Sequence, residues 1–140
     1  VEHWQKELER ALLEKLESAV GEIGKREVQV LDVGVFPWHS SIELSLLLSS
    51  DKCDRAFIAD WPYYDYSKFN EGEWPAAIPV AEYINERWAQ DSDLVGILKG
   101  VAMVVRSPAV TKQLENFRLA PEFEVQVLNQ DDANSPNYCN

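Results

Sequence analysis

A chain of 140 residues, 46% hydrophobic and 26% charged, can bury a continuous core without disulfide or metal staples, so one domain spanning residues 1–140 is expected. Its formal net charge of −11 repels nucleic acid and anionic membrane and attracts basic partners, which disfavours direct binding to DNA, RNA or a lipid surface. No apolar run approaches the roughly 20 residues that a bilayer-spanning helix needs.

The opening segment, 1–20, predicts an amphipathic helix: Trp4, Leu8, Leu12, Leu16 and Ile23 recur near helical spacing, with Glu, Lys and Arg on the other faces. Gly21 or Gly24 would end it. A signal peptide would instead show an uninterrupted apolar stretch after a basic start, so a cytoplasmic location is the expectation. Cys53 and Cys139 match no CxxC or Cys/His spacing and read as reduced thiols.

Residues 27–36, EVQVLDVGVF, read as a strand whose apolar phase shifts from Val28 and Val30 to Leu31, Val33 and Val35, the mark of a bulge or of burial on both faces. Residues 40–50 form its hairpin partner through the link at 37–40. Ile42, Leu44, Leu46 and Leu48 fall on one face, and Ser41, Glu43, Ser45 and Leu47 on the other. A third strand is predicted over 54–61, DRAFIADW, ended by Pro62.

Helices are predicted over 76–90, with Ile78, Ala81, Ile84 and Trp88 inward, and over 92–105, with Ser92 as N-cap and Gly96 and Gly100 allowing close packing. A further helix follows Pro108 over 109–117. Residues 121–128 predict a last strand with Phe123, Val125 and Val127 inward and Glu122, Glu124 and Gln126 outward. Tyr138 and Cys139 would anchor the polar tail. These elements make an α+β domain: a mainly antiparallel sheet of about four strands with helices packed on one face.

The chemistry-bearing residues form no recognisable catalytic set. His3 lies on the first helix; His39 precedes Ser40 and Ser41, but no GxSxG elbow joins them to Asp32 or Asp60. HExxH, paired Cys or His spacing, an EF-hand loop, GxGxxG and a P-loop lysine are all missing, so no catalytic residue, metal or cofactor is expected. Asp131 and Asp132, beside Asn129 and Asn134, could offer oxygens to calcium but suit a turn better.

The informative stretch is 60–74, DWPYYDYSKFNEGEW, which sets Trp61, Tyr63, Tyr64, Tyr66, Phe69 and Trp74 among Asp60, Asp65, Glu71 and Glu73. Partly buried rings supply interface area at low entropy cost, and carboxylates around them favour a basic partner. Trp61, Phe69 and Trp74 could equally cover the core. The candidate partner-binding residues are Asp60, Trp61, Tyr63, Tyr64, Asp65, Tyr66, Glu71 and Glu73, with Asp131 and Asp132 as a second acidic surface. Two other function classes stay open. One is a glycosidase-like hydrolase pairing Asp60 with Asp65, or Glu71 with Glu73, beside sugar-stacking rings; the other is a structural or oligomeric subunit using the apolar helix near Met103.

A small acidic α+β chain with an N-terminal amphipathic helix, a hairpin, a WPYYDY segment and a late FEVQVLNQDD strand resembles the bacterial immunity proteins that accompany secreted or contact-delivered toxins. That resemblance implies a non-enzymatic role: tight stoichiometric binding that blocks a toxin domain, often a basic nuclease whose substrate the acidic inhibitor imitates. It carries over no catalytic residue.

Overall fold

The computed structural model describes residues 1–140 as one α+β domain of four helices and a three-stranded sheet. Helix α1 (His3–Ile23) buries Trp4, Leu8, Ala11, Leu12, Leu16, Ala19 and Ile23 along one stripe, as the spacing predicts. It ends where Gly24 turns to φ 62 and its N–H returns to the Val20 carbonyl at 3.0 Å.

Strand β1 (Glu27–Phe36) pairs antiparallel with β2 (Ser41–Leu48) across a short 3-10 turn, Pro37–His39. Strand β3 (Arg118–Gln126) lies on the other side of β1 and runs parallel to it, giving the order β2-β1-β3. The expected sheet of four mainly antiparallel strands is thus corrected to three mixed strands. Residues 54–61 do not pair, because the Asp54 carboxylate accepts from the Ala56 N–H and a 3-10 turn, Ile58–Asp60, follows at once. The last strand is parallel because the helical half of the chain forms the crossover that precedes it.

The phase shift in β1 is a bulge between Val28 and Val30, seen in the register to both neighbours. It turns Val28, Leu31, Val33 and Val35 toward the helices, together with Ile42, Leu44, Leu46 and Leu48. Val30 joins Leu47 and Trp61 in a separate small cluster on the second face. Both faces are therefore covered.

Helix α2 (Ile78–Asp91) buries Val80, Ala81 and Ile84. Ile78, expected inward, is exposed at its first turn, and Trp88 is half-buried, meeting Trp38 edge-on with centroids 6.0 Å apart. Helix α3 (Leu94–Val105) is capped by Asp93, whose side chain accepts from the Gly96 N–H; Ser92, the predicted cap, instead closes α2 at φ 55. Helix α4 (Pro108–Leu114) is capped by Ser107 and stops short of the predicted 117. No single helix is long and apolar enough to cross a membrane.

Gln126, expected outward, is buried, since the sheet's second face is not open to water there. The tail is held mainly by Asn137: its amide donates to the Val125 carbonyl at 2.9 Å, and its oxygen accepts from the Val127 and Cys139 N–H groups. Cys139 enters the core, Tyr138 is half-buried, and both cysteines are free thiols.

Gly100 sits against the Trp4 ring, where an added Cβ would stand 2.8 Å from two ring carbons. Gly21, also helical, has nothing within 4 Å of such a Cβ. Gly100→Ala should lower stability by about 1–3 kcal/mol, because overpacking outweighs the roughly 1 kcal/mol gain in helix propensity. Gly21→Ala should raise it by roughly 0.5–1 kcal/mol. Urea unfolding of the two variants checks the opposite signs.

Candidate functional site

The stretch 60–74 holds no α-helix or β-strand, only short 3-10 turns such as Phe69–Glu71, yet hydrogen bonds lace it to the sheet. The Leu46 N–H donates to the Tyr63 carbonyl at 3.2 Å, and the Asp65 N–H donates to Ser45 Oγ at 2.9 Å. Ser67 completes the lacing: its Oγ accepts from the Leu44 N–H, and its own N–H donates to the Leu44 carbonyl. The segment thereby runs along the outer edge of β2.

That course sends the rings to different places. Trp61, expected on a binding surface, is buried against Val30 and Leu47, so its ring seals the sheet instead of meeting solvent. Trp74 is buried in the main core, where its Nε1 donates to the Ala11 carbonyl at 3.2 Å. Tyr63 and Tyr66 turn toward α1. Arg26 donates to the Tyr63 hydroxyl at 2.9 Å, its guanidinium 5.4 Å from the ring centroid, and the Tyr66 hydroxyl donates to Glu22. Burial, and then the charge of Glu22, push the Tyr66 phenol up to about 12.

Tyr64 alone of the three tyrosines is 38% exposed. It stands over the second face, where burial and the adjoining Glu43 carboxylate raise its pKa well above that of a free phenol. Asp65 is committed to the loop: at φ 45, its carboxylate accepts from Ser67 Oγ and from the Phe69 and Asn70 N–H groups. Asp60, Glu71 and Glu73 are exposed. A groove of about 390 Å³ between α1 and the stretch brings Tyr63, Tyr64, Asp65, Tyr66 and Glu73 together with Lys15 and Glu22.

Asp131 and Asp132 are exposed in a turn in which Asn129 Oδ1 accepts from the Asp131 N–H and Asp132 Oδ1 from the Asn134 N–H. No hydrogen bond or ion pair joins that turn to 60–74. His39 is exposed in the hairpin link, and Asp32 lies four strand residues below its end at Phe36, about 13 Å at 3.3 Å per residue, so the two cannot form a catalytic pair. Of the rings proposed to flank the carboxylate pairs, Trp61 and Trp74 are sealed inside, and Tyr64 stays exposed beside Asp65.

Sequence reasoning missed the buried polar set beneath Tyr64. Asp32 is only 1% exposed, and its Oδ1 accepts from Gln126 Nε2 at 3.0 Å. Glu43 is also buried and accepts from the Asn70 amide. The register places Asp32 opposite Ser45 and Gly34 opposite Glu43, so the two carboxyl groups sit diagonally on one face. The signal was an acidic residue at the same-face position of each hairpin strand. Burial raises the Asp32 carboxyl from 3.8 to about 7, Gln126 opposes the rise, and the charge of Glu43 adds to it.

Two buried carboxyl groups on one sheet face, with Asp32 pushed up by burial, have the components of an acid/base pair. Here, however, Gln126 meets Asp32, Tyr64 and Asn70 meet Glu43, and neither carboxyl lines the grooves of about 760, 480 and 390 Å³. The Glu43 contacts tie the covering segment to the sheet. Comparison with protein-family models, with curated proteins and with solved structures finds no match.

A carboxyl whose folded pKa lies above its unfolded value keeps its proton longer in the folded state, so stability is greatest below pH 4 and is lost as pH rises toward 7. Asp32→Asn should remove that loss while keeping an acceptor for Gln126. Its stability relative to wild type should rise between pH 4 and 8 by up to about 4 kcal/mol, at about 1.4 kcal/mol per unit. Denaturant titrations of both proteins across that range provide the check.

Proposed function

We propose that the chain is a non-catalytic protein-binding module whose partner is basic, and that it acts as an immunity protein does, by occupying and blocking a toxin domain. The observation that carries this reading is Tyr64: an exposed ring, fixed at the sheet edge by backbone lacing on both sides, with Glu43 at its hydroxyl and Glu73 along the same groove. A rigid, exposed tyrosine is a residue type enriched among interface hot spots, and here it has carboxylates beside it in a groove that Lys15 and Lys68 also line. The net charge of −11 would speed encounter with a basic partner while adding less affinity than the ring. Asp60 and Glu71, both exposed near the same stretch, fit the rim of such a surface, and Trp61 and Asp65 support it from beneath.

The test is capture of partners from a lysate of the source organism, followed by co-expression of the captured protein with this chain. Wild type should retain a basic protein and abolish its toxicity. Tyr64→Ala, which leaves the Ser45 and Ser67 lacing intact, should weaken the complex about 30-fold or more, whereas Glu71→Gln should change it only a few-fold and mainly in association rate. Equal capture by wild type and Tyr64→Ala would place the interface elsewhere and overturn the assignment of this surface.

A further inference from the structure

A second concavity, larger than the groove beside 60–74, lies between the first turns of α1, the exposed side of α3, the start of α4 and the C-terminal tail. It encloses about 760 Å³ and is lined by Ala102, Met103, Val104, Pro108 and the Tyr138 ring, with Lys99, Arg106 and Glu9 among its polar groups. That volume falls in the range of small-ligand sites, roughly 300–1,000 Å³.

Three features set it apart. Lys99 and Met103 lie one turn apart on α3, and Arg106, the residue that caps the helix, follows three positions on, so an apolar residue stands between two cations over about 10 Å. Lys99 and Arg106 join none of the ion pairs in the molecule. Glu9, the one acid in the lining, already accepts from Ser107 Oγ at 2.9 Å. In a chain with 13 basic and 24 acidic side chains, this groove inverts the local balance to two cations against one carboxylate. Met103 is 61% exposed there, and its unbranched thioether adapts to irregular apolar shapes.

We propose that this groove binds a monomeric long-chain carboxylate, its head between Lys99 and Arg106 and its alkyl chain over Met103, Ala102 and Pro108. The two cations select a single anionic head, and the apolar floor selects a tail. A second copy of the chain is a poorer occupant, since it would bring another net charge of −11 against the first. An extended anionic surface meets the same repulsion. A single carboxylate seated within a few ångströms of two cations does not, because charges beyond about 8–10 Å are screened at physiological salt.

The experiment is calorimetric titration of the full chain with decanoate and dodecanoate below their micelle concentrations, with methyl dodecanoate and dodecyltrimethylammonium as head-group controls. Saturable binding of one carboxylate per chain is expected, tightening by up to about fourfold for each added methylene. The methyl ester and the cationic analogue should bind at least tenfold more weakly. Lys99→Glu/Arg106→Glu and Met103→Asp alter exposed side chains, and circular dichroism is to establish their folding first; each should weaken dodecanoate at least tenfold, while Tyr64→Ala should bind it as wild type does. Equal binding of the cationic analogue, indifference to the charge reversal, or no saturable binding would overturn the proposal. So would binding to anionic vesicles without binding of the monomer, or a ligand-free dimer in sedimentation that Met103→Asp dissociates.

Discussion

The small sheet at the centre of this protein has two faces to keep dry and helices for only one. Every residue of β2 from Ser41 to Leu48 is buried, yet the residues of all four helices that reach the sheet belong to the cluster on its first face. The second face is closed by chain without regular structure, and Trp61 against Val30 and Leu47 is the anchor of that cover. A tryptophan ring hides about 150–250 Å², which at about 25 cal/mol per Å² is roughly 4–6 kcal/mol. Its buried Nε1 has no acceptor, at a cost of about 1–3 kcal/mol, so burial of the ring still wins.

The polar residues of the hairpin follow from the same arrangement. A covering segment that is neither helix nor strand brings unpaired N–H groups to the sheet, and these need acceptors. Ser45 supplies one for Asp65, Ser67 returns one to Leu44, and Glu43 takes the Asn70 amide. Alternation of apolar and polar residues in β2 thus records one face against side chains and one against a loop, instead of one face against water. Asp32 is almost fully buried on that second face, where loss of hydration shifts its carboxyl toward the neutral form.

Much of this was legible in the sequence wherever structure is local. The stripe in α1, the hairpin and the helices α2 and α3 are periodic over neighbouring residues and form where read, although Ile78 faces out and Asp93 replaces Ser92 as the α3 cap. Residues 54–61 were misread because short apolar alternation competes with the Asp54 turn and the 3-10 turn after it. The direction of β3 and the burial of Gln126 depend on partners about 90 residues away, for which the pattern within a strand has no signal. The rings of 60–74 were identified as the informative stretch, but their division between two sides of the sheet was not. It depends on hydrogen bonds to Ser45 and to Leu44, far from those rings in sequence.

Both sheet edges are closed to a further strand, and this bears on how a partner could be recognised. The outer edge of β2 is taken by residues 63–67. On β3, Val28 pairs with Leu119 and Val30 with Glu124, so the strand bulges around Pro121, which has no N–H to offer, and beyond the bulge Asn137 clamps Val125 and Val127. Strand addition therefore has no edge to extend, and affinity on the proposed reading must come from side chains. Most rings of the cover are spent on sealing the sheet, and removing them would confuse lost binding with lost folding. Tyr64 is different: the lacing around it uses backbone groups and serine hydroxyls, and the Asn70 amide still meets Glu43 when the Tyr64 hydroxyl is gone, so of the rings in the stretch it is the one whose deletion best separates recognition from stability.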